Sequence, residues 1–284
     1  MKSSVVPSGA AAVLVLAVAV GGAAGARVQA TATTIRVTTA MTAAQEVPAP
    51  TGDVSAARGT FTATVARAAS GSGGVLTWQL TFSGLTGPAA AAHVHIAARG
   101  VAGPVAVPLC GPCTSPASGT ADIDDAVLTA LQTGGAYTNV HTPTNGAGEI
   151  RGQISVTADA QTAMTARQEV PKPKGNVRRA RATFSAVVTK SGTTGTVAWR
   201  LTFAGLTGRA VAAHIHIGAR GKAGPVAVAL CGPCRNGQRG TGTLRPAVLT
   251  ALEAGRAYVN VHTPRNPAGE VRGQLAAVPL QLAP

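Results

Sequence analysis

The chain has 284 residues, a formal net charge of +14 and only eight aromatic residues among its 35 glycines, 18 prolines and four cysteines. So few rings exclude a core built on aromatic stacking, and Val, Leu, Ile and Ala must fill it instead. After the N-terminal region no apolar run approaches the roughly 20 residues that a membrane-spanning helix needs.

The chain opens with Lys2, an apolar run from Ala10 to Val20 and the segment "RVQA" ending at Ala30. That is the layout of a secretory signal. Residues 1–30 are expected to be removed, leaving a secreted or periplasmic protein with no transmembrane span. An uncleaved N-terminal anchor is the other reading.

From residue 31 one unit is written twice. "WQLTFSGLTGPAAAAHVHIAARGVAGPVAVPLCGPC" from Trp78 and "WRLTFAGLTGRAVAAHIHIGARGKAGPVAVALCGPC" from Trp199 differ at eight of 36 positions. Every aromatic residue, cysteine and histidine has a partner in the other copy. The expected domains are 31–157 and 158–284, each long enough to bury its own core. Their charges differ: five Lys+Arg against six Asp+Glu in the first, 17 against four in the second. A basic second domain favours an anionic cell-envelope polymer as partner. Nothing interleaves basic and aromatic residues as a specific nucleic-acid groove would. The bland reading of the charge is solubility.

Within the first copy, "GTFTATVA" alternates with Phe61, Ala63 and Val65 on one face, and "VLTWQLTFSGL" does so with Trp78, Leu80 and Phe82. "AHVHI", "GPVAVPL", "AYTNVHT" and "GEIRGQISV" are further short runs divided by Gly, Pro and Asn. This spacing predicts an antiparallel β-sandwich or barrel. One helix interrupts it: "DIDDAVLTALQTGG", with Asp122, Asp124 and Asp125 as N-terminal charge, a stripe of Ala126, Val127 and Leu131, and a stop at Gly134. Its counterpart runs from Pro246 to Gly255.

Alternation puts His93 and His95 on one side of their strand, Asn139 and His141 on one side of the next, and Glu149, Arg151 and Gln153 on one side of the last. The second copy repeats the set with His214, His216, Asn260, His262, Glu270, Arg272 and Gln274. Three imidazoles from two strands are a ligand set for zinc or copper. Glu149 or Glu270 could then serve as a fourth ligand or orient a ring. The competing reading is a structural network in which Glu149 pairs with Arg151 and Glu270 with Arg272. "CGPC" occurs at Cys110–Cys113 and Cys231–Cys234. Neither motif leads into a helix, as a thioredoxin-like thiol requires. Each is therefore expected to be a local disulfide; a zinc site of four thiolates is an alternative.

"QEVP", "SGLTG…AHVHIAARGVAGPVAVPL" and "YTNVHTPTNGAGEIRGQI", with their counterparts in the second copy, resemble the chordin-type (CHRD) domain over nearly all of the chain beyond the signal. The resemblance implies a secreted or surface all-β domain and supplies no catalytic residue set. The Cys-rich modules that accompany this domain in an animal growth-factor antagonist are not seen, so growth-factor binding is not carried over. "GLTG" leading into "HVHI" is also similar to a stretch of copper–zinc superoxide dismutase, another Greek-key fold. With three histidines per copy and no second cluster, dismutase activity does not follow. The expectation is an all-β protein of two similar antiparallel Greek-key sandwich or barrel domains, each with one short helix. It is read as a non-enzymatic binding or structural module. The alternatives are a copper- or zinc-binding metalloprotein, at the extreme a reduced dismutase-like enzyme, and a thiol–disulfide protein.

Overall fold

A computed structural model describes residues 34–282, so the expected signal at residues 1–30 lies outside the described residues. Within them, sixteen strands form one antiparallel, hydrogen-bonded sheet system, accompanied by two α-helices. In the first copy β1 (Thr34–Thr42), β2 (Arg58–Arg67) and β3 (Gly74–Ser83) make a meander. The chain then crosses over to the hairpin of β4 (Ala91–Ile96) and β5 (Val105–Cys110) and returns as β6 (Ala117–Ile123) on the free edge of β3. Helix α1 (Asp125–Thr133) leads to β7 (Ala136–His141) beside β4, and β8 (Ile150–Gln153) follows. The lateral order is β5-β4-β7-β8-β1-β2-β3-β6. This is the expected Greek-key sandwich, with β1 as the corner: it pairs with β2 along its length and meets β8 at Thr42.

Alternation accounts for the layering. In β2, Phe61, Ala63 and Val65 are buried while Thr60, Thr62 and Thr64 face water. In β3, Leu76, Trp78 and Leu80 point inward and Phe82 reaches the rim. β-Branched threonine suits such half-buried strands. The largest ring sits opposite the smallest residue: a Cβ on Gly119 would lie 2.7 Å from Trp78 Cζ2, and Gly240 faces Trp199 in the same way.

In α1, Asp124 caps the first turn by accepting from the Val127 N–H at 2.8 Å, and Gly134 ends the helix at φ 75°. The buried stripe is Val127, Leu128, Ala130 and Leu131. Ala126, expected in that stripe, is exposed, and Asp122, expected at the helix start, belongs to β6. The capped turn meets the sheet only from Val127 onward.

The run "GEIRGQISV", expected as one strand, breaks at Ile154 into β8 and β9 (Ser155–Thr165). β9 passes through the expected junction without interruption. Ser155 to Thr157 pair with β1, and Val156 to Thr165 pair with β10 (Arg181–Ser191). The second copy continues as β11 (Thr194–Ala204), β12 (Ala212–Ile217), β13 (Val226–Cys231), β14 (Arg239–Leu244), α2 (Pro246–Glu253), β15 (Ala257–His262) and β16 (Val271–Gln274). Its order, β13-β12-β15-β16-β9-β10-β11-β14, matches the first with β9 in the place of β1.

A fragment of residues 31–157 keeps the pairings of β1 to β8 and the three β1–β9 pairs. It is expected to fold alone, with a β-type circular dichroism spectrum and a cooperative melt. A disordered spectrum would show that the second copy is needed to complete the first.

Candidate metal centre

β4 and β7 pair so that His93 stands opposite Asn139, His95 opposite Tyr137 and His141 opposite Ala91. The alternation read from sequence therefore holds, and His93, His95 and His141 converge. One ring nitrogen from each lies within 4.8 Å of the others, and His214, His216 and His262 do the same. In a tetrahedral zinc site, bonds of 2.0–2.1 Å put ligand nitrogens about 3.4 Å apart, so the widest pairs of the triad must close by up to about 1.4 Å.

The partners of the rings fix which nitrogens are free. A carbonyl only accepts, so His95 Nδ1, 2.9 Å from Gly103 O, carries its proton, and so does His141 Nδ1, 3.0 Å from Gly146 O. Their Nε2 atoms hold lone pairs. His93 Nδ1 lies 3.1 Å from His141 Nε2 and donates to it. His95 Nε2 is buried without any hydrogen-bond partner. The second copy reproduces these bonds: His216 Nδ1 to Gly224 O at 2.9 Å, His262 Nδ1 to Pro267 O at 2.9 Å and His214 Nδ1 to His262 Nε2 at 3.0 Å, while the buried His216 ring also has the Asn260 side chain beside it. An unpaired buried polar atom costs about 1–3 kcal/mol, and the first copy bears that cost at His95. Imidazoles whose Nδ1–H is held by a backbone carbonyl, with Nε2 turned inward, are oriented as metal ligands are.

Burial, and then the neighbouring rings His141 and His95, hold His93 below the usual imidazole value. Burial likewise lowers His141 and His262, and with the adjacent His262 and His216 brings His214 down to about 4.

Arg151 and Glu149 do not pair. Arg151, 1 % exposed, lies with Cζ 3.4 Å from the centre of the Tyr137 ring and donates to Ala98 O at 3.0 Å. The ring of His95 stacks on Tyr137 at 4.7 Å, nearly parallel. β7 separates β8 from β4, so the tyrosine stands between the guanidinium and the histidines. Arg272, Tyr258 and His216 repeat this stack. Glu149 is held elsewhere. Its carboxylate accepts from the Thr86 N–H and hydroxyl, from the Thr142 hydroxyl at 2.7 Å and from the Asn145 amide at 2.9 Å. Burial pushes this carboxyl up, but the hydrogen bonds outweigh it and leave the group below the usual carboxylate range. Glu270 is caged in the same way by Thr207, Thr263 and Asn266. The "GLTG" and "HTP-N-GE" segments are thus the two halves of one polar clasp.

The carboxylate beside the histidine strand is Glu46, from "QEVP", with Glu169 as its counterpart. Gly148, at φ 134°, leaves room for Glu46 against the Asn139 amide: a Cβ there would strike both. Burial raises the carboxyl of Glu46, and raises that of Glu169 to about 7. Tyr137 and Glu46 were not among the residues expected at the site. Their signals were recurrence of the tyrosine in both copies and recurrence of "QEVP".

The cysteines form Cys110–Cys113 and Cys231–Cys234 disulfides, with S–S distances of 2.10 and 2.06 Å. Each closes a loop at a strand end rather than at a helix start, next to the histidine strand: the Cys113 N–H donates to Ala89 O, just ahead of β4. The four thiols therefore form no joint zinc site.

A family model described as the CHRD domain matches residues 37–154 and again residues 160–275. No curated protein and no solved structure matches the chain.

Proposed function

The chain belongs to the CHRD-domain family, and we propose that its tandem domains form an exported, non-enzymatic binding module in which each domain holds one zinc or copper ion through three histidines. The observation that carries this reading is the buried Nε2 of His95, which has no hydrogen-bond partner, at a point where three imidazoles converge and two of them are oriented by backbone carbonyls. The polar groups around the triads support binding rather than turnover. Glu149 is occupied by four hydrogen bonds and Arg151 by its stack on Tyr137. An ion held there would replace the His93–His141 hydrogen bond, with the His93 proton moving from Nδ1 to Nε2 so that the ring stays neutral and Nδ1 is free to ligate, and the same would hold for His214 and His262.

The disulfides and the leader-like N-terminus support a place outside the cytoplasm. No helix among the described residues is long and apolar enough to cross a membrane. The basic second domain is read as the side that meets an anionic envelope polymer.

Protein produced without a histidine tag and dialysed against zinc or copper is expected to retain one ion per triad, two per chain, by elemental analysis. Retention of none under both metals would sink the metal reading and leave the rings as a structural network.

A further inference from the structure

Six of the 17 Lys and Arg residues of the second domain fall within one 18-residue segment. The segment from Met41 to Arg58 carries one Arg against two acidic residues, and its counterpart from Met164 to Arg181 carries six Lys+Arg against one. The backbones agree. Each segment starts with a 3-10 turn, Ala43–Gln45 or Ala166–Gln168. Each is tied to the same asparagine, by Thr51 N–H to Asn145 Oδ1 at 2.7 Å and by Lys174 N–H to Asn266 Oδ1 at 2.6 Å. Each closes with the same turn, Ala57 N–H to Val54 O and Ala180 N–H to Val177 O, both 3.0 Å. On this common frame Thr51 is replaced by Lys174, and Ala44, Ala49, Ser55 and Ala56 are replaced by Arg167, Lys172, Arg178 and Arg179. The last four, with Arg181, line a cleft of about 580 Å³. All five are exposed, and none makes an ion pair among the described residues.

We propose that this cleft is a polyanion-binding site, and that its occupant is an extended acidic polysaccharide whose carboxylates meet the arginine and lysine side chains. The proposal rests on the reading of the basic domain given above and assigns it a place. Charge complementarity carries it: one copy of a duplicated scaffold has four cations around a single cleft that the other copy lacks, and that other copy serves as a control without them. Arginine forks suit carboxylates held in bidentate contact. A cleft takes a chain more readily than a flat lipid surface. The exposed large apolar residues, Val75, Val101, Val105, Val187 and Val226, all lie outside this segment, so it offers nothing to insert into a bilayer. It holds no aromatic residue on which a nucleic-acid base could stack.

The test uses the full chain on immobilised polygalacturonate. The variant Arg167→Ala/Lys172→Ala/Arg178→Ser/Arg179→Ala restores the residues of the first copy on the same backbone, so folding is preserved. It is expected to bind about tenfold more weakly or worse near 0.1 M salt, with wild-type binding falling steeply as salt rises. A control with equal charge loss, Arg200→Ala/Arg235→Ala/Arg239→Ala/Arg256→Ala, should lose about twofold or less. Adding Ala44→Arg/Ala49→Lys/Ser55→Arg/Ala56→Arg to the first variant should restore binding through the other copy. Equal losses in the two neutralised variants would overturn the cleft while leaving a diffuse polyanion surface. Retention on phosphatidylglycerol vesicles but not on polygalacturonate would overturn the occupant. No retention of wild type on either would overturn both the cleft and the polyanion reading.

Discussion

Replacing His95 and His141 together with alanine should halve the metal content of the chain, leaving the ion held by His214, His216 and His262 in place. The reciprocal pair, His216→Ala/His262→Ala, should leave only the ion of the first domain. Because a ligand that binds only the folded state stabilises it by mass action, excess zinc should raise the melting temperature of wild type but not of the fourfold variant. At about 100 times the dissociation constant the gain is about 2.7 kcal/mol. The pH dependence has a definite sign. The folded-state value of His214, about 4, lies below its ordinary 6.5, so the unfolded chain binds the proton more readily between those values. The neutral ring's contribution to metal-free stability is therefore full above pH 6.5 and is lost as pH falls toward 4. Metal should likewise be held across neutral pH and released as the triads protonate. Glu169, raised to about 7, acts on stability with the opposite sign over the same range, so the ring is followed directly: a His214 imidazole that titrates near 6.5 by NMR in metal-free folded protein would show that it is not buried neutral. Melting that zinc leaves unchanged in wild type would show that the rings do not ligate.

The largest loss of stability should come from the clasp rather than from the histidines. Glu149 has 0 % exposure and accepts four hydrogen bonds from Thr86, Thr142 and Asn145. Bonds to a charged group contribute about 1.5–3 kcal/mol each, but two of the donors are hydroxyls free to rotate. Glu149→Ala in the 31–157 fragment is expected to cost about 3–5 kcal/mol, in the range seen when a buried network is broken. That corresponds to a fall in melting temperature of about 10–25 °C. Its carboxyl is held below the usual range, so its contribution is present above pH 4.5 and is lost as pH falls through the folded-state value. Wild type and variant should therefore differ least in strong acid. A change under about 1 kcal/mol at pH 7 would mean that the cage is not formed.

The contrast between these residues shows how far a single sequence can be read. Period-two alternation located His93, His95 and His141 because all three lie inside paired strands, β4 and β7. It failed for Glu149, which stands one residue before β8 begins, where Gly148 at φ 134° ends the regular alternation. It also could not choose between partners on the correct side: Arg151 meets Tyr137, its diagonal neighbour, rather than a carboxylate. Glu46 was illegible as a site residue because almost 100 positions separate it from Asn139, and only the fold brings them together. The helix stripe was misjudged at Ala126 because helical spacing gives an angle around the axis but not the point at which the helix first touches the sheet. The disulfides were legible because Cys-x-x-Cys without a following helix leaves few other outcomes.

β9 joins the two domains as a strand of both. A flexible tether can gain or lose residues one at a time. A shared strand cannot, because its side chains keep a parity: Val156 and Ala158 point into the cores, and Thr157 and Asp159 point out. One residue inserted after Thr157 would leave the pairing with β1 intact and turn over every position from Ala158 to Thr165, bringing Asp159 and Gln161 inward and sending Met164 out to water. Two residues would preserve the parity. The two halves of this protein are therefore phase-locked, and length changes at their junction are admissible only in even steps.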